Sequence, residues 1–117
     1  MRKVVWDMDP GIDDALALIL ALKSPEVQIL GITTVAGNAT LEMTSANARR
    51  VLEYLDAGSI PVAMGAANPL NHPLKDALSH HGSDGLGNCG LPSPLTPLYP
   101  AKAWDFLARS VLDAPGE

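Results

Sequence analysis

Cysteine is nearly absent from this chain of 117 residues: Cys89 stands alone, so no intrachain disulfide is possible. Basic residues are scarce too. Eight Lys and Arg face thirteen Asp and Glu, which leaves a net charge of -5. That balance excludes nucleic acid as an expected partner, because phosphate backbones are bound by basic patches. It leaves a metal ion or a neutral small molecule open. Long apolar runs are missing. No stretch approaches the length of a membrane-spanning helix, so no membrane partner is expected. The opening Met1-Arg2-Lys3-Val4-Val5-Trp6-Asp7 has too short an apolar run for a signal peptide, and acids follow at once. A cytoplasmic protein is the default expectation. There is no internal repeat and no low-complexity tract. What the chain does have is 47% hydrophobic residues, enough for one small globular domain.

The apolar pattern predicts alternating strands and helices. Lys3 to Asp7 reads as a short buried strand and Asp13 to Lys23 as a helix, with apolar residues at helical spacing. Ser24-Pro25 ends that helix. Val27 to Thr34 is nearly continuous in apolar and β-branched residues, as buried parallel strands are. Ala36 to Thr40 turns, and Thr40 is placed to cap a helix from Leu41 to Leu55. Ile60 to Met64 reads as a third strand. Residues 65–100 are rich in Gly, Pro, Asn and His and read as one long functional loop. Ala101 to Leu112 reads as a last helix with Trp104, Leu107, Ala108 and Val111 on one face. The expected fold is α/β, a Rossmann-like doubly wound parallel sheet with crossover helices. Three strands are few for such a sheet. A closing helix followed by Pro115-Gly116 also suggests a turn toward a further strand, so the chain reads as the N-terminal part of a larger protein.

Four aspartates, Asp7, Asp9, Asp13 and Asp14, crowd into the first fourteen residues. They sit where the first strand ends and the first helix begins. Like charges that close repel in a partly buried site. A hard divalent cation, which takes several oxygen ligands at once, would offset the repulsion. Asp13 and Asp14 alone could be solvated acids favoured by the helix dipole, but that leaves Asp7 and Asp9 unexplained. An EF-hand loop fails, because Gly11 and Ile12 stand where its acid and glycine are required. A dehalogenase-type phosphatase remains open. Such enzymes place two aspartates spaced as Asp7 and Asp9 after a first strand, but they have no use for the Asp13-Asp14 pair. The ends of all three predicted strands, near Asp7 to Asp14, Asn38 and Gly65, share one rim, where ligands bind in such sheets.

The string Asp7-Met8-Asp9-Pro10-Gly11-Ile12-Asp13-Asp14-Ala15 resembles the signature of the inosine-uridine-preferring nucleoside hydrolases. The resemblance continues in Gly31-Ile32-Thr33-Thr34-Val35-Ala36-Gly37-Asn38 and in His81-Gly82-Ser83-Asp84-Gly85-Leu86-Gly87-Asn88. It extends to the closing Pro115-Gly116-Glu117, which in the family leads into the next core strand. Met8 replaces the family's usual threonine and removes a hydroxyl between two acids.

The resemblance implies calcium-dependent hydrolysis of the N-glycosidic bond of ribonucleosides to ribose and free base, with residues 1–117 forming the N-terminal part of a single α/β domain. It implies that Asp9 and Asp14 ligate Ca2+ and that Asp9 is also the general base toward the attacking water. Asp13 and Asn38 would bind the ribose, His81 would contact the substrate, and Asp7 would be a supporting acid. On its own, Asn38 after Gly37 equally suits a turn. The resemblance further implies calcium ligands and a leaving-group acid from later segments, so an isolated chain of this length is expected to be weakly active or inactive. An inactive fold fragment stays open as a reading. Homodimeric or homotetrameric assembly of the intact protein is a further implication.

Overall fold

The computed structural model describes residues 1–116. Glu117, part of the closing Pro-Gly-Glu segment, lies outside the described residues. The chain runs through strand β1 (Arg2–Met8), helix α1 (Ile12–Lys23), strand β2 (Val27–Thr34), helix α2 (Leu41–Tyr54), strand β3 (Val62–Met64), a one-turn helix α3 (Leu78–His81) and helix α4 (Ala103–Asp113). The three strands form a parallel sheet in the order β1-β2-β3. Val4 pairs with Ile29 and Val5 with Gly31, so Leu30 is an extra residue in β2.

Alternation along β2 assigns each helix its face. Ile32 packs with Met8 and Val62 against Leu18 of α1 and Ala48, Val51 and Leu52 of α2. Gly31, one residue earlier, faces Phe106 of α4. Helices therefore cover both faces of the sheet, as the doubly wound reading expects. Leu18, Ile32, Leu52 and Val62 are almost fully buried. Each such side chain contributes roughly 1.5–3 kcal/mol of transfer free energy. Thr40 caps α2 as its position suggests, accepting from the Met43 N–H at 3.4 Å.

Several boundaries differ from the sequence reading. β3 begins at Val62, because the Ile60 N–H bonds to Ala57 in a turn and Pro61 has no N–H to give. Residues 65–100 are not all loop: one turn of helix, α3, interrupts them. The last helix starts at Ala103 after an extended Lys102. Its buried residues are Ala103 and Phe106, while Trp104 and Val111 are exposed. The reason lies in β2. Gly31 has no side chain, and the Phe106 ring fills that slot; a Cβ there would meet the ring at 2.2 Å. In α1, Ala15, Leu18 and Ala21 are buried while Leu16 and Leu20 face outward.

Candidate active site

The rim forms where β1 and β2 run out. The Val35 N–H still bonds to the Met8 carbonyl at 3.1 Å, and then both chains turn. Asp9 and Asn38 come together at that exit. The Asn38 N–H donates to Asp9 Oδ2 at 2.8 Å, and its side-chain amide donates to the Asp9 carbonyl at 3.3 Å. Gly37 makes this approach possible, since a Cβ there would lie 2.2 Å from Asp9 Oδ2.

Asp14, in the first turn of α1, reaches back across the turn. Its Oδ2 accepts from the Asp9 N–H at 3.0 Å. Burial and then the charges of Asp9 and Asp13 push the Asp14 pKa above the ordinary carboxylate value, against the opposing pull of the Asp9 N–H. Asp9 and Asp14 thus form a coupled acidic pair, each spending one oxygen on a backbone N–H. Their hard oxygens suit a calcium-type cation in kind. Among the described residues, however, no group of three or more His, Cys, Asp or Glu side chains is placed to share one ion.

α1 has no side-chain cap of its own, because Gly11 stands at its N-cap. A distant residue supplies one. His81 Nδ1 accepts from the Ile12 N–H at 3.0 Å, so the ring proton sits on Nε2. The ring lies so close over Gly11 that a Cβ there would meet Nδ1 at 2.5 Å. Asp13, with its side chain largely exposed, has Oδ1 4.0 Å from the same Nδ1. α3 reaches this position partly because the Ala77 N–H bonds to the Asn38 carbonyl at 2.8 Å.

Of the residues expected from sequence, Asp9, Asp13, Asp14, Asn38 and His81 are linked through these contacts. Asp7 is engaged elsewhere: the buried Thr33 hydroxyl, beside it in the sheet register, donates to Asp7 Oδ1 at 2.6 Å. Two features escaped the sequence reading. One is the capping role of His81. The other is Asn47 of α2, wholly buried, whose amide donates to the carbonyls of Pro10 and Asp84 at 3.2 and 2.9 Å. Its signal was weak, because the buried stripe of α2 also holds Thr44 and Ser45 beside Ala48, Val51 and Leu52. The glycine-rich loop is braced internally as well. Asp84 Oδ1 accepts from the N–H groups of Leu86 and Asn88. Burial raises the Asp84 pKa, but these bonds outweigh it and hold the group below its ordinary value.

Comparison with known proteins decides between the two enzyme families that the acids left open. Residues 4–117 match the family model described as inosine-uridine preferring nucleoside hydrolase. The chain belongs to this family. A probable uridine nucleosidase 1 from Oryza sativa subsp. japonica is 39% identical over 116 residues, which cover 98% of this chain and 36% of that protein. An inosine-uridine preferring nucleoside hydrolase from Leishmania major is 45% identical over 91 residues, covering 78% of this chain and 29% of that one. Among solved structures, a plant nucleoside hydrolase, the PpNRh1 enzyme, superposes with a TM-score of 0.93 at 39% identity, over 99% of this chain and 37% of the other. The chain spans about a third of the length of these relatives. No described helix is long and apolar enough to cross a membrane.

Proposed function

We propose that this chain carries the carboxylate half of a calcium-dependent nucleoside hydrolase site, as the N-terminal part of a single α/β domain. The observation that carries the reading is the Asp9–Asp14 pair at the strand rim, with Asn38 bonded to Asp9. Asp9 and Asp14 would hold calcium. When bound, the ion would supply positive charge that favours loss of a proton from water and would orient vicinal ribose hydroxyls.

Asp9 takes the proton from the attacking water, and the water oxygen bonds to C1′ of the ribose. The C1′–N bond breaks with its electron pair leaving on the base, which then gains a proton. The sugar becomes oxocarbenium-like on the way, as in other glycoside hydrolysis, and the nearby carboxylates stabilise that charge. The Asn38 N–H keeps the Asp9 side chain in one orientation, which general-base catalysis requires. Asp13, exposed on the same turn, and the Asn38 side chain would bind ribose hydroxyls. His81 holds the turn from behind Gly11 and would border the nucleoside. Asp7 would support the site through the sheet. A cytoplasmic setting and assembly of the intact protein as a homodimer or homotetramer complete the reading.

Two carboxylates offer at most four oxygens, whereas calcium takes roughly six to eight. Slow turnover by this chain alone follows. The test is release of free ribose from inosine and uridine at millimolar calcium. The expected result is slow release above the buffer background, abolished by Asp9→Asn. Release unchanged in that variant overturns the base assignment. Phosphate release from a panel of phosphate monoesters, without ribose release, overturns the hydrolase reading. Fast turnover refutes the claim that the carboxylates are half a site.

A further inference from the structure

We propose that Asn47 is a positioning residue that locks the aspartate turn and the glycine-rich loop into one unit, so that the geometry of Asp9, Asp13 and Asp14 depends on a side chain in α2. The proposal rests on the reading of those aspartates as the working acids.

Asn47 is wholly buried, and all three of its polar bonds are accounted for. The side-chain NH2 donates to the Pro10 carbonyl at 3.2 Å and the Asp84 carbonyl at 2.9 Å. Its Oδ1 accepts from Arg50 Nη1 at 2.9 Å. These partners fix which way the amide points. Two carbonyls need donors and a guanidinium only donates, so the opposite flip would set like against like at every contact.

The two carbonyls lie in separate parts of the chain. Pro10 sits between Asp9 and the Asp13-Asp14 pair; Asp84 sits in the glycine-rich loop. Gly85 leaves room for the bridge. A Cβ on Gly85 would lie 2.8 Å from Asn47 Nδ2, and its φ of +78° also favours glycine. The same loop region grips the turn a second time, through His81 to the Ile12 N–H. Turn and loop are thus pinned at two points, and Asn47 ties both to α2. An alanine at 47 would leave the buried Pro10 carbonyl and the half-buried Asp84 carbonyl without this donor.

The test compares Asn47→Ala with Val51→Ala, a cavity variant at another buried position of α2. Tb3+ alone is the probe, a hard cation read by its emission, and global stability is measured alongside. Asn47→Ala should weaken Tb3+ binding at least tenfold, while Val51→Ala loses comparable stability yet binds Tb3+ within twofold of wild type. Asn47→Ala binding within twofold of wild type, or an equal loss in both variants, overturns the proposal. If Asn47→Ala does not fold, or wild type does not bind Tb3+, native-state hydrogen exchange of wild type decides. The Ile12 and Leu86 amides should then lose protection together as mild denaturant is added. Protection that differs more than tenfold between them overturns the linkage. Absence of Tb3+ binding by wild type would count against the metal reading and leave this arm intact.

Discussion

Replacing Gly37 by alanine sets the rim's packing against its chemistry. The added Cβ would lie 2.2 Å from Asp9 Oδ2 and 3.0 Å from its Cγ, too close for any real contact. Asp9 has only two side-chain torsions and sits at a turn, so its carboxylate swings away rather than the backbone parting. That movement breaks the 2.8 Å bond from the Asn38 N–H. A hydrogen bond to a charged group contributes about 1.5–3 kcal/mol. Against this, the φ of Gly37 lies outside the left-handed region. Alanine there therefore returns about 0.4–1 kcal/mol by restricting the unfolded chain. The net loss is about 1–2 kcal/mol, measurable by urea unfolding. The decisive assay is a double-mutant cycle with Asp9→Ala. Without the carboxylate only the Asp9 Cβ stays close, at 3.2 Å, and Gly37→Ala should cost markedly less than in the Asp9 background. An equal loss in both backgrounds would refute the reasoning, because the cost would then come from somewhere other than Asp9.

Asp14→Asn should stabilise the metal-free protein in chelator. The folded-state pKa of Asp14 is raised, so its contribution is present at acid pH and lost as pH rises through that value. The gain in Tm should therefore grow from acid toward neutral pH; a gain that shrinks over that range contradicts the cause. Glu53 has the opposite sign. The Thr96 N–H and hydroxyl, with the Leu95 N–H, hold its pKa below the ordinary value. Hydrogen-exchange protection of those amides should be full above the ordinary glutamate pKa and fall as pH drops through the folded value, while Glu53→Gln shows lower protection with no such step. Gly31→Ala should cost about 1–3 kcal/mol by overpacking against Phe106. Adding Phe106→Leu should cost less than the two single changes together, as denaturation of the four proteins would show.

Much of the fold was legible because the apolar pattern is strong. β2 was read to its observed bounds, and Thr40 signalled the start of α2. α4 was misread on its buried face because a glycine on another element decided it. Helical spacing favours Trp104 and Val111, but the slot that Gly31 opens takes Phe106. The candidate site divides in the same way. The aspartates declared themselves by crowding and motif, and Asn38 by its place after β2. The clasp that holds them did not. His81 lies 69 residues from Ile12, and Asn47 lies 37 from both Pro10 and Asp84. Those bonds exist only once the sheet has brought the loops to one rim, and no local pattern carries them. Asp7, read as a supporting acid, accepts from the Thr33 hydroxyl, a partner that only the sheet register reveals.

As two arms of one cation site, Asp9 and Asp14 should answer to the ion together. Calcium titration of the isotope-labelled chain, followed through its backbone amides, tests it most directly. The shifts should centre on Asp9, Asp14 and Asn38, with one ion bound and a Kd on the order of 10⁻³ M, as a site short of oxygens should give. Asp9→Asn and Asp14→Asn should each remove the response. Shifts that centre elsewhere, or that persist in both variants, would contradict it.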